Sequence, residues 1–186
     1  MSGYPVVLNV YDMYWINQYT FPVGLGVFHS GVVVHGKEYA FGGHPNNWSG
    51  IFEMSPKSVE VLGDDFKFRE TLTIGTTKLL PSEVEDLLRR MGKNYQGRFY
   101  HLIDKNCNHF TSEFCQALCN KSIPAWVNRL ASVGSYLPFL LKCIPREWIS
   151  PEPCSPTRSP SYVSHPFKDC TGSDEDDQPR TKTKHR

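Results

Sequence analysis

The sequence predicts an α+β fold in which an antiparallel sheet packs against helices, with one helix opening on a cysteine. Three observations carry this. Runs rich in Val, Tyr and Phe, bounded by Gly, Pro, Asn or His-Gly, fill the chain up to about Gly75. Apolar residues then switch to helical spacing, first near Val84 and again after Asn106. The 186 residues and their apolar share suffice for one ordinary core.

The strands come first. "VVLNVY", "GLGVFHSGVVVHG" and "KEYAFGG" succeed one another with short breaks, the pattern of an antiparallel meander. "HPNNWSGIFEMSP" is dense in turn formers and reads as a connection, and "FRETLTIG" alternates like a half-buried strand. Val84, Leu87, Leu88 and Met91 then fall at i, i+3, i+4 and i+7. Ser82 stands before them as a cap, Glu85 lies three residues on, and Gly92 marks the end. A second helix follows "KNCNHF", with Phe110, Phe114, Ala117 and Leu118 on one face and Asn120-Lys121 closing it. "PAWVNRLASVGSYLPFLLKCIPREW" reads as short helical pieces broken by Pro138 and Pro145.

From Ser150 the composition turns to Pro, Ser and Thr, then to acidic "DEDD" and basic "RTKTKHR". The expected organisation is one domain over 1–149 and a disordered tail over 150–186, because the tail has little to bury. Ser155-Pro156 and Ser159-Pro160 have the form of proline-directed kinase sites, a pattern such tails also produce by chance.

Net charge is formally +1 with acids and bases interspersed, which argues against nucleic-acid binding. The apolar run "YLPFLL" is far too short for a transmembrane segment. "MSGYPVVLNV" shows no charged leader or cleavage site, so a cytoplasmic location, with the nucleus as a second compartment, is expected. In a reducing compartment the six cysteines are expected to be free thiols.

"KNCNHF", residues 105–110, is where chemistry is expected. A cysteine at a helix N-terminus meets unpaired N–H groups and the positive end of the macrodipole, both of which favour thiolate. The amides of the same turn are placed to stabilise an oxyanion. A base is then required. Among seven histidines His29 is the best placed, in the strand "GVFHSGVVV" between Gly26 and Gly31; His44, His101 and His109 remain candidates.

"VFHSG", "EYAFGGH" and "KNCNHF", in that order, resemble the PPPDE family of circularly permuted papain-fold peptidases, DeSI-2-like members in particular. "VVLNVYDMYW", "IPAWVNRLA" and "IPREW" extend the resemblance from about Pro5 to Trp148. The resemblance implies a Cys-His dyad, with His29 as general base and Cys107 as nucleophile, and no cofactor or metal. It implies a thiol isopeptidase that removes ubiquitin or SUMO from lysines, with ubiquitin favoured. Asn106, Asn108 and Tyr39 are candidates for orienting His29 or holding the oxyanion. A glycine-ended tail needs a narrow channel, for which Gly26, Gly31, Gly42 and Gly43, with Trp15 and Trp48 as walls, are candidates. The family also includes homodimers, for which Trp126, Leu130 or Phe139 would supply apolar surface.

Other readings compete. "NCNHF" is also similar to the motif of lecithin-retinol-acyltransferase-like proteins, which implies an acyl thioesterase or acyltransferase using the same dyad, although Asn108 replaces an acidic residue there. A non-catalytic adaptor that binds modified proteins is a third reading. Cys107, His109, Cys115 and Cys119 lack the paired spacing of a zinc site, and their simpler role is packing.

Overall fold

The structure is a computed structural model, described here for residues 3–24 and 26–129. Five antiparallel strands form one sheet: β1 (Tyr4–Met13), β2 (Phe28–Val34), β3 (Lys37–Phe41), β4 (Ile51–Met54) and β5 (Phe66–Thr77), in the spatial order β4-β3-β2-β1-β5. The first four make the expected meander, and β5 returns to the far side of β1. β1 is therefore an interior strand, paired on both sides, and Val6, Leu8 and Val10 on one face are fully buried.

The β2-β3 turn is written in two residues. His35 and Gly36 both take positive φ, 52° and 76°, the left-handed geometry whose twist matches a two-residue hairpin. It pairs Val34 with Lys37 and carries the register down to Val32 opposite Tyr39.

Helix α3 (Pro81–Gly92) forms where the apolar spacing predicts and buries Val84, Leu88 and Met91. Its cap differs from expectation: it starts at Pro81, and the Glu83 carboxylate accepts the Leu80 N–H at 2.7 Å, so Ser82 and Glu85 already lie inside the helix. Proline at the first position explains the shift, since its fixed φ suits a helix start and it has no N–H to satisfy.

Helix α4 (Cys107–Cys119) lies on the core face of the sheet and ends on Asn120 in the left-handed conformation, as expected. Its buried stripe is Phe110, Thr111, Phe114, Cys115 and Leu118, whereas Ala117 faces solvent. Phe110 is fully buried, stacked on Phe114 at 5.5 Å and edge-on to Tyr95 at 5.4 Å. Phe110→Ala is expected to remove about 3–5 kcal/mol of stability through lost burial and an unfilled cavity, read as a fall in denaturant midpoint.

Three short elements depart from the sequence reading. β4 lies inside the segment read as a connection; α1 (Tyr14–Thr20) and α2 (Val59–Leu62) were not expected. Four residues of strand cannot establish an alternation, and β4 is made by pairing with β3 from Phe41 opposite Ile51 to Glu38 opposite Met54. α1 has no side-chain cap and is anchored through the Tyr14 N–H to the Asp65 carbonyl at 3.0 Å. Beyond the 3-10 turn at Ala125–Asn128, the helical pieces read up to Trp148, Leu130, Phe139 and the tail over 150–186 lie outside the described residues.

The opposite face of the sheet carries a buried polar cluster. Glu38 is fully buried; it accepts hydrogen bonds from the Asn9 amide at 2.6 Å, the Tyr11 hydroxyl at 2.8 Å and the Lys57 N–H at 2.9 Å. Three donors answer the cost of desolvating the carboxyl group.

Candidate active site

Cys107 is the first residue of α4, and Asn106 caps that helix. The Asn106 side-chain oxygen accepts the N–H groups of Asn108 at 2.9 Å and His109 at 3.0 Å, while His109 Nδ1 accepts the Asn106 N–H at 3.1 Å. This reciprocal cap lets Asn precede a helix-starting cysteine. It also occupies N–H groups that the sequence reading assigned to the oxyanion. The Asn106 amide is engaged too, donating to Leu102 O at 2.8 Å and Asn128 Oδ1 at 3.1 Å.

Asn108 fastens the helix start to the strand that bears His29. Its amide donates to the carbonyls of Phe28 at 2.8 Å and Val127 at 3.1 Å. Its oxygen accepts the Ser30 hydroxyl at 2.6 Å, and that hydroxyl lies 2.7 Å from Thr111. The residues on either side of His29 are thus clamped to α4. On the other side of Phe28, Asn17 holds Val27 through its backbone N–H at 2.7 Å and carbonyl at 3.1 Å.

The N–H of Ser30, the hydroxyl of Tyr100 and the N–H groups of Asn108 and Cys107 all favour charge on the Cys107 sulfur. Its thiol points toward Asn108 Oδ1 at 3.8 Å. Since strand side chains alternate and Ser30 turns toward α4, His29 turns to the opposite face. There the Phe66 ring, at 5.4 Å, and the Tyr11 ring, at 6.1 Å, flank it. His29 Nε2 is buried with no hydrogen-bond partner, and no hydrogen bond joins His29 to Cys107.

Burial governs both ionisations. It pushes the Cys107 thiol up to about 11 despite the N–H groups and the Tyr100 hydroxyl that favour thiolate, and it lowers His29 to about 4. The thiolate expected from the helix terminus is therefore not the resting form. Desolvation outweighs the dipole, and the closed site holds a neutral thiol and a neutral imidazole.

Residues 4–148 match the family described as "PPPDE putative peptidase domain". The chain belongs to the PPPDE family. A "Desumoylating isopeptidase 1 homolog" of Caenorhabditis elegans is 50% identical over 146 residues, which cover 78% of this chain and 44% of that protein. A DeSI-like protein of Arabidopsis thaliana is 44% identical over 137 residues, 74% of this chain and 59% of that one. Human "Desumoylating isopeptidase 1" is 29% identical over 143 residues, 73% of this chain and 80% of its own length. The chain thus spans about half the length of the first two relatives.

Within this PPPDE domain the remaining candidates are scattered. Tyr39 sits in the core, edge-on to Phe114 at 6.0 Å and at a register opposite Val32, so it does not orient His29. The space beside Gly31 is filled: a Cβ there would lie 2.2 Å from Glu38 Oε1. Beside Gly26 the Phe28 ring occupies the corresponding space, with a Cβ at 2.3 Å from its tip. Neither glycine leaves room for a substrate; the first accommodates a buried carboxyl group, the second an aromatic ring. Gly42 donates to the Gly50 carbonyl at 2.9 Å, and Gly43 follows it, half-buried, in the loop ending at Trp48. Trp48 is 62% exposed beside the His44 ring at 5.3 Å. The Trp15 side chain lies outside the described ones. His101 is engaged with Asp104, its Nδ1 lying 3.0 Å from the carboxylate. Trp126 packs edge-on against Phe28 at 5.1 Å, partly buried against the core.

Ser30, Asn17 and Tyr100 were missed by the sequence reading. Ser30 and Tyr100 favour the Cys107 thiolate only because the fold brings them near it, and Asn17 acts through a helix the sequence did not announce.

The lowered His29 sets an acid limit. Unfolded, this imidazole takes a proton below 6.5; folded, only below about 4. Between those values the unfolded chain binds more protons, so stability is full above 6.5 and falls as pH drops toward 4, by about 3 kcal/mol from this residue. Urea midpoints compared between wild type and His29→Gln across that window are expected to converge at low pH; parallel curves would refute the assignment.

Proposed function

We propose that this chain is a thiol isopeptidase that removes ubiquitin or SUMO from target lysines, with Cys107 as nucleophile and His29 as general base. The observation that carries it is the cysteine at the start of α4 clamped through Asn108 to the strand of His29, in a PPPDE domain. Relatives named desumoylating isopeptidases favour conjugates of SUMO within that class. The order, histidine strand before nucleophile helix, is that of a circularly permuted papain fold.

In this mechanism the unpartnered His29 Nε2 takes the thiol proton and the sulfur attacks the carbonyl carbon of the modifier's terminal glycine. The tetrahedral intermediate collapses, and the lysine Nζ leaves with the proton from His29. Water then hydrolyses the thioester and regenerates the thiol. The mechanism requires His29 and Cys107 to come within hydrogen-bond reach in the complex with the conjugate. A free thiol nucleophile suits the cytosol or nucleus.

Mono-ubiquitin and SUMO probes with thiol-reactive C-termini test the reading, run beside isopeptide-linked conjugates of both and an acyl-thioester substrate. Labelling and cleavage with one modifier are expected. Inertness toward every conjugate, with or without acyl-thioester hydrolysis, ends the isopeptidase reading.

A further inference from the structure

The segment leading into Cys107 carries aromatic rings and cations that the dyad does not use. Trp48 and Phe99 are 62% and 44% exposed, and their loops are joined: Ser49 and Gln96 form an antiparallel bridge, and the Gly97 N–H donates to the Trp48 carbonyl at 3.0 Å. The Arg98 guanidinium lies 4.7 Å from the centre of the Phe99 ring, and Lys105 Nζ lies 5.9 Å from the same ring and 5.0 Å from that of Tyr95. Ring faces thus hold both cations in place. Reciprocal backbone bonds between His101 and Lys105, both 2.9 Å, fix the base of the second. Lys93 adds an exposed third cation beside the Trp48 loop, since the Gly92 backbone lies against Ser49. None of the three has a carboxylate partner among the described residues. The acids nearby are engaged, Asp104 with His101 Nδ1 at 3.0 Å and Glu113 with the Tyr95 hydroxyl at 2.6 Å.

Resting on the isopeptidase reading, we propose that this basic, aromatic surface binds an acidic segment of the target protein next to the lysine that carries the modifier. An isopeptide bond brings two chains to the sulfur. The modifier tail ends in glycine, with no side chain at that point for a cation to read, so Arg98 and Lys105 are left to read the chain that bears the lysine. Position agrees with this. Lys105 stands two residues before Cys107, which keeps their Cα atoms within about 7.6 Å of each other. A carboxylate within about four residues of the modified lysine, about 13 Å of extended chain, falls within reach of the surface. The unpaired cations complement it in charge, and the exposed Trp48 and Phe99 rings offer faces to the apolar side chains beside it.

The test uses the full chain and isopeptide-linked conjugates whose target peptide carries Asp and Glu beside the lysine, or Asn and Gln in their place. Wild type is expected to cleave the acidic conjugate with a kcat/KM about tenfold higher, through KM rather than kcat, and to lose the difference in about 0.5 M salt. In the double variant Arg98→Gln, Lys105→Gln the gap is expected to close, while Lys121→Gln, at the far end of α4, keeps it. Lys105→Glu is expected to speed a conjugate flanked by lysines. Equal kcat/KM on the acidic and amide conjugates, or a gap that survives the double variant, overturns the proposal. A double variant slowed equally on both assigns the surface to the modifier and overturns it too. Where wild type cleaves neither conjugate, the isopeptidase reading fails, and carbodiimide crosslinking of the free acidic peptide decides the surface by itself. Coupling at Lys105 and not at Lys121 sustains the acidic site; no coupling, or coupling at every lysine, overturns it.

Discussion

Cys107→Ser is expected to abolish labelling by modifier probes and to lower conjugate cleavage by about 10³-fold or more, the scale on which removal of a nucleophile acts. The cause is local. The N–H groups of Ser30, Asn108 and Cys107 and the Tyr100 hydroxyl favour an anion that forms readily on sulfur and poorly on a serine oxygen. The fold should be indifferent to the change, because the two side chains are close in size and Asn106 still caps α4. Wild-type thermal unfolding beside lost cleavage is the pattern to look for. Cleavage retained within tenfold would move the nucleophile elsewhere.

His29→Gln is the second large effect, a loss of about 10²–10⁴ in kcat, the range of a general base. The structure sharpens this into a contrast. His29 exerts no charge effect on Cys107, whose ionisation is set by burial and by its own donors. Alkylation of Cys107 is therefore expected to be slow at neutral pH, with a thiolate fraction of about 10⁻⁴, to rise about tenfold per pH unit toward 11, and to be nearly the same in His29→Gln. A standing thiolate-imidazolium pair predicts the reverse, with fast alkylation at low pH that vanishes with His29. Full cleavage by His29→Gln would remove the histidine from the mechanism.

Both experiments address a site that was partly legible before any coordinate was known. Asn106 before Cys107, with His109 three residues after the cap, is a helix-start signal, and the apolar face from Phe110 to Leu118 follows it. His35-Gly36 specifies its own hairpin. The length of α3 was readable from its stripe, but not its first residue, because Pro81 competes with Ser82 for the start. Gly31 misled for a plain reason: a glycine in a strand signals a close approach without naming what approaches, and here it is Glu38.

What the sequence alone determined is local: a meander, two helices, and a cysteine at the mouth of the second, all set by propensity, periodicity and capping within a few residues. What only the tertiary structure decided is the state of that cysteine. Packing α4 on β2 removes water from Cys107, and the Phe66 and Tyr11 rings flank a buried His29 on the other face, which raises one ionisation, lowers the other, and reverses the thiolate that the helix terminus favours. Desolvation depends on everything that surrounds a group, so packing from elements distant in the chain settles what the neighbours of Cys107 could not, and the donors that favour thiolate offset it only in part.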